Sequence, residues 1–270
     1  MTDIHPTAVI CRGATIGKDV SIGPYCVVGP SVELGDATIL KSHVVVSGQT
    51  RIGAGTTIYP FASIGSDPQD LKYEGEPSEL IIGENNTIRE YVTMNPGTAG
   101  GGLRTVIGNS CLFMVGAHVA HDCLIGNHVV MANNATLGGH VRVGDRVLIG
   151  GLAAVHQFIR IGAFAVIGGT SGVESDVIPF GRVKGDRAYL AGLNLVGLER
   201  GGFSKDQIKT MQKAVNRLFA EAGTLEARVQ QLEEDFGTDA SIGQIIQFVR
   251  ERHRFGLCRP ERAVALSIFP

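Results

Sequence analysis

The chain has no tryptophan, only 6% aromatic residues and only 19% charged ones. A disordered chain shows high charge and low hydrophobicity, so 44% hydrophobic residues with so little charge indicate a folded protein. No apolar run approaches the length a membrane-spanning helix needs. The start, Met1-Thr2-Asp3-Ile4-His5-Pro6, has neither a basic nor a long apolar segment, so no secretory signal is expected. A formal charge of −2 excludes bulk nucleic-acid binding. Five cysteines, an odd number without metal-type spacing, fit a reducing compartment, and a cytoplasmic location is expected.

Glycine, by contrast, is abundant: 37 in 270 residues. A length of this order suits one large domain, or one with a smaller companion. A six-residue period organises much of the glycine. From Ile4, every sixth position to Ile64 is apolar, the step resumes at Ile82, Ile88 and Met94, and it restarts at Ile107 and runs to Val173. Gly follows the leading residue in more than half of these hexads, as in Gly17, Gly23, Gly35, Gly126, Gly138 and Gly144. Four places after the leader the residue is mostly small or β-branched, as in Cys26, Val44, Ala117, Cys123 and Ala135.

One large and one small inward residue per six predicts a short strand and a turn, repeated. Three such strands close one coil of about 18 residues, and stacked coils bury an apolar column. The Gly beside each leader is expected to supply a positive φ at the turn. The cysteines at the small inward slot (Cys26, Cys111 and Cys123) read as core. The expected fold is mainly β: a β-helix over 1–185, then an α-helical region over 186–270.

Two insertions break the period, near 66–81 and 96–105. The first, 18 residues from Ile64 to Ile82, is expected to replace one whole coil with an external loop. The second contains Gly100-Gly101-Gly102. In the C-terminal region, capping boxes at Ser204-x-x-Gln207 and Ser241-x-x-Gln244 predict helices to about Ala222 and Arg254, with another over Thr224–Phe236. Arg250, Arg252, Arg254, Arg259 and Arg262 form a basic cluster, either a solvated face or a dock for an acidic partner.

Chemistry must come from outward positions. The 18-residue coil stacks His121 under Gly139 and Gln157, with His140 one residue along and His118 three residues before. A base beside a backbone N–H donor is what acyl transfer requires, with Asp122 placed to orient the imidazole. A zinc site is the rival for clustered histidines. This chain has His118-x2-His121 and lacks the His-x4-His pair of hexapeptide-repeat carbonic anhydrases, so no metal is expected.

The hexads match a pattern of Leu, Ile or Val, then Gly, then four variable residues. It is the mark of the left-handed parallel β-helix of hexapeptide-repeat proteins, and the left hand rests on that resemblance alone. Gly116-Ala117-His118-Val119-Ala120-His121-Asp122-Cys123 further resembles the active-site signature of the UDP-N-acetylglucosamine O-acyltransferases of lipid A synthesis. So do Leu40-Lys41-Ser42-His43, Gln69-Asp70-Leu71-Lys72-Tyr73, Ala132-Asn133-Asn134-Ala135 and Ala154-Val155-His156-Gln157-Phe158.

The resemblance implies transfer of a 3-hydroxyacyl group from acyl carrier protein to the 3-hydroxyl of UDP-N-acetylglucosamine, without a cofactor. It implies His121 as general base and the Gly139 N–H as oxyanion donor. Asp70, Lys72, His118, His140, Gln157, Asn194 and Arg200 would contact the UDP-sugar, with His156 along the groove. Gly169 would leave room in the acyl groove, and the family works as homotrimers. The chain departs from the family at Asn95-Pro96-Gly97-Thr98 and Glu199-Arg200-Gly201, where two cations are missing. Other hexapeptide acyltransferases, acting on an amino-sugar or with acetyl-CoA, remain alternatives, as do a metal-dependent hydratase and a silent scaffold.

Overall fold

A computed structural model describes residues 1–251 and 254–261. Arg252 and Arg262 of the basic cluster, His253 and the rest of the tail to Pro270 lie outside the described residues. Among the described residues the chain forms three sheets of 11, 9 and 8 strands that wrap a three-sided prism, every pairing parallel except the last in the first sheet. The chain visits the first, second and third sheets in turn, and each strand pairs with the one a coil later, as in Asp3 with Ser21 and Ile10 with Val28. The leaders point inward: Ile22, Val28, Leu40, Ile58, Met94, Phe113, Met131 and Ile149 are essentially excluded from water. Burying each such side chain is worth about 1.5–3 kcal/mol, and stacking the coils gathers them into one column. Cys26, Cys111 and Cys123 fill the small inward slot as expected.

The glycines do a different job from the one expected. Most of those following a leader have ordinary φ; positive φ falls two places later, on non-glycine residues such as Asp122 (φ 59), His140 (φ 63) and Phe158 (φ 67). What the leader-adjacent glycines provide is closeness. A Cβ on Gly35 would lie 2.6 Å from the Ala54 nitrogen, and one on Gly144 would lie 2.5 Å from the Ala163 nitrogen. At the corner between the third and first sheets the coils stack so tightly that a methyl group has no room.

The first insertion does not replace a coil. Ile64 belongs to the second sheet, paired with Met94, and Ile82 belongs to the third, paired with Ile52. The chain therefore advances by one face and bulges outward at a single corner. The second insertion, between Met94 and Arg104, leaves from the same corner one coil later. The next coil presents His121 there.

The prism is closed by an antiparallel pair, Gly181–Lys184 with Tyr189–Leu193, and then, among the described residues, by four α-helices. Helix α1 spans Leu195–Arg200 and has no counterpart in the sequence expectation. Helix α2, Lys205–Leu218, opens with the expected capping box at Ser204 but stops short of Ala222. The Arg228 guanidinium donates to the carbonyls of Leu218, Ala222 and Gly223, drawing the connection into a bend. Helix α3 is Leu225–Phe236, capped by Thr224. Helix α4, Ala240–Arg250, is capped by Asp239 rather than by Ser241. An Asp carboxylate accepting from both Ser241 and Ile242 is a stronger cap than a serine hydroxyl.

One buried cation fastens the helices to the prism. The Arg160 guanidinium, 10% exposed, donates to Asp176 at 2.8 Å, to Glu251 at 2.9 Å and to the Phe248 carbonyl at 3.2 Å. Unpaired, a guanidinium at this depth costs several kcal/mol, so Asp176 and the end of α4 are held to it. The basic cluster is correspondingly less free than its sequence suggests. Arg250 pairs with Glu233 of α3, and Arg254 lies 4.2 Å over the Phe158 ring.

Candidate active site at one corner of the prism

The corner between the second and third sheets gathers both insertions and the histidines. His121 and Asp122 occupy its turn one coil after the second insertion, Gly139 and His140 one coil later, and Gln157 and Phe158 one coil further. The His140 N–H donates to the His121 carbonyl and the Phe158 N–H to that of Gly139, so the turns stack in register.

His121 Nδ1 lies 2.8 Å from Asp122 Oδ2, and that carboxylate is buried. A carboxylate only accepts, so Nδ1 carries the proton and Nε2 presents its lone pair outward. The ring lies against Gly139: a Cβ there would come within 2.5 Å of Cε1 and 2.6 Å of Nε2. At the neighbouring corner several of the equivalent backbone N–H groups are occupied, with Lys18 donating to Asp36, Asn109 to Asn127 and Asn127 to Asp145. The Gly139 N–H meets no acceptor among the described residues. A free donor beside a free base is a geometry suited to oxyanion chemistry.

Asp70 enters from the first insertion, its Oδ2 4.0 Å from His121 Nε2. Lys72 is exposed on the same loop, its N–H held by Asp70 Oδ1. His140 stands edge-on to His121 at 5.0 Å and stacks on Phe158 at 4.2 Å, and Arg254 covers the other side of Phe158. His118 Nδ1 is 2.7 Å from Thr93 Oγ1. Burial lowers the pKa of His118 and of His140; for His118 the charge of His121 adds to the effect, and for His140 Asp122 opposes it. Both rings are therefore neutral hydrogen-bonding groups at neutral pH. His156 is exposed, its ring 5.2 Å from Phe255, and Gln157 is exposed on the corner itself.

Three of the expected residues lie elsewhere. Asn194 caps α1 through Gly197 and donates to the Phe164 carbonyl at the corner between the third and first sheets. Arg200 is exposed at the end of that helix. Gly169 lies at the remaining corner in the open, with only Gly151 near a would-be Cβ. None of the three shares a hydrogen bond, ion pair or ring contact with the His121 group among the described residues. Sequence reasoning missed Thr93 and Thr98. Thr93 sits in the hexad just before the second insertion, and the inserted residues hide its alignment with His118.

His121, Asp122 and His140 bring one donor atom each within 4.8 Å of one another and are the set that could hold a metal. The shared carboxylate oxygen already accepts from His121 Nδ1 and Thr98 Oγ1, so an acid-base pair accounts for the arrangement.

Known proteins resemble this chain over most of its length. A family model described as UDP-N-acetylglucosamine O-acyltransferase, domain 2, matches residues 176–258, and one for the bacterial transferase hexapeptide matches 13–48 and 104–139. The acyl-(acyl-carrier-protein)–UDP-N-acetylglucosamine O-acyltransferase of Rickettsia canadensis is 55% identical over 97% of this chain and 99% of its own. A solved UDP-N-acetylglucosamine acyltransferase superposes with a TM-score of 0.93 at 42% identity, over 96% of this chain and all of its own. An LpxA structure from Acinetobacter baumannii gives 0.92 at 41% identity, over 95% and 99%. The chain belongs to the family of UDP-N-acetylglucosamine O-acyltransferases.

Proposed function

We propose that this chain transfers an (R)-3-hydroxyacyl group from acyl carrier protein to the 3-hydroxyl of UDP-N-acetylglucosamine, the first step of lipid A biosynthesis. The observation that carries this reading is the His121 imidazole, held by buried Asp122 and lying against the unpaired Gly139 N–H.

The residues divide the work. His121 Nε2 takes the proton of the sugar hydroxyl as its oxygen attacks the thioester carbonyl, forming the C–O bond. The resulting oxyanion is received by the Gly139 N–H. As the C–S bond breaks, the imidazolium returns its proton to the departing sulfur, and Asp122 stabilises that imidazolium meanwhile. The step balances without a cofactor and without an acyl-enzyme. Asp70, Lys72, His118 and His140 surround the base and would seat the sugar and its first phosphate. The neutrality of His118 and His140 spares His121 a neighbouring positive charge.

Asn194, Arg200, Gln157 and His156 complete the nucleotide site in this reading, and Gly169 leaves the acyl groove open. Because Asn194, Arg200 and Gly169 sit at other corners of one copy, a site using them draws them from neighbouring copies, which supports a homotrimer. The five cysteines remain unbridged, in keeping with a cytoplasmic setting. No helix among the described residues is long and apolar enough to cross a membrane.

Purified protein given UDP-N-acetylglucosamine and a mixture of 3-hydroxyacyl carrier-protein thioesters should yield a base-labile O-acylated nucleotide sugar, identified by mass spectrometry. An amide product formed only with an amino-sugar acceptor, or acylation only from acetyl-CoA, would replace this reading with a related one.

A further inference from the structure

The glycine-rich second insertion has no role in the mechanism above, yet it closes over the catalytic carboxylate. Thr98 donates its N–H to Asp122 Oδ1 at 2.9 Å and its hydroxyl to Oδ2 at 2.6 Å. With His121 Nδ1 at 2.8 Å, the carboxylate has three donors and is turned so that Oδ2 faces His121. His140 Nδ1 stands 3.8 Å from the same oxygen and is the competing partner.

Gly101 lies over the carboxylate so closely that a Cβ would fall 2.0 Å from its Cγ. The loop is closed on itself by the N–H groups of Gly101 and Leu103, which both donate to the Thr98 carbonyl. It is also tied to the first insertion, where Glu76 accepts from the Ala99 N–H at 2.8 Å. Asn95, at the foot of the loop, donates to the Ser66 and Asp67 carbonyls. The two insertions thus form one assembly that carries Asp70 on one arm and the Asp122 clamp on the other.

We propose that Thr98 is a positioning residue for the acyl transfer. Its two hydrogen bonds, under the cover of Gly101, fix the Asp122 carboxylate on His121 rather than His140 and so keep His121 in the Nδ1–H tautomer with Nε2 free. This rests on the reading of His121 as the general base. Thr98→Val keeps the shape and the backbone N–H and loses one charge-assisted hydrogen bond, which frees the carboxylate to turn. Thr98→Ser retains the hydroxyl.

The test combines kinetics with histidine nitrogen chemical shifts in full-length protein, with His121→Ala identifying the His121 signals. Thr98→Val should lower kcat by about tenfold or more with the sugar KM within about twofold. Its spectrum should show the Nε2–H tautomer of His121 beside the Nδ1–H form. Thr98→Ser should restore both the rate and the single tautomer. An unchanged tautomer in Thr98→Val, or a rate loss that Thr98→Ser fails to restore, overturns the proposal. The tautomer is read without substrate. Absent transfer activity in the unmodified protein would therefore refute the proposed reaction and leave the positioning result to stand or fall by its spectra.

Discussion

His121→Ala is expected to lower kcat by about 10²–10⁴-fold while the KM for UDP-N-acetylglucosamine changes little. The expectation follows from what the imidazole touches. Its Nδ1 is committed to Asp122, the ring lies against Gly139, and Nε2 carries the lone pair left beside the Gly139 N–H. The sugar would still be held by Asp70, Lys72 and the neutral His118 and His140, so binding survives where proton transfer does not. Folding should survive as well. Asp122 keeps both hydrogen bonds from Thr98, so removing the ring does not strand a buried charge. Steady-state kinetics beside a melting curve check both halves. Turnover within a few-fold of the unmodified protein would remove His121 from the mechanism.

The second large effect is expected at a residue with no side chain. Gly139→Ala should reduce kcat by roughly 10²-fold, because an error of about 1 Å in the position of a catalytic group carries a loss of that order. The backbone at Gly139 is not in the left-handed region, and the N–H remains, so alanine meets no conformational objection. Its methyl group does meet the His121 ring, at 2.5 Å from Cε1 and 2.6 Å from Nε2, and the ring must swing off its line with Asp122. Gly35→Ala provides the contrast. There the clash is with the backbone nitrogen of Ala54, away from the histidines and from Asn194, so the melting temperature should fall while kcat per folded molecule stays level. If Gly139→Ala loses stability and keeps its rate, the glycine serves coil stacking alone.

Much of this was readable in the residues. The six-residue period predicted the three-sided prism and its apolar column, and the 18-residue coil predicted that His121, Gly139 and Gln157 would share a corner. The left hand came only from the family resemblance, since periodicity carries no sign. Composition points to φ as the constraint on the repeat glycines, whereas the limiting quantity is the spacing between coils. Asp122, His140 and Phe158 take the positive φ that the glycines were expected to take.

The insertions were harder. Counting 18 residues from Ile64 to Ile82 suggested a lost coil, because length alone does not tell a bulge at one corner from a full turn. For the same reason Thr98 was not connected with Asp122. The contact joins an inserted loop to the coil after it, and no repeat position relates the two. Asn194 and Arg200 were identified by motif, and within one copy they stand at another corner.

In the proposed reaction His121 promotes a single displacement on the thioester, with no acyl group ever attached to the protein. A rapid-quench single turnover, with excess protein, UDP-N-acetylglucosamine and carrier protein bearing a radiolabelled 3-hydroxyacyl group, tests it directly. Label should pass from carrier protein to nucleotide sugar in one phase, with none retained on this chain at any time. A labelled acyl-enzyme that rises and then decays at the rate of product formation would contradict the account.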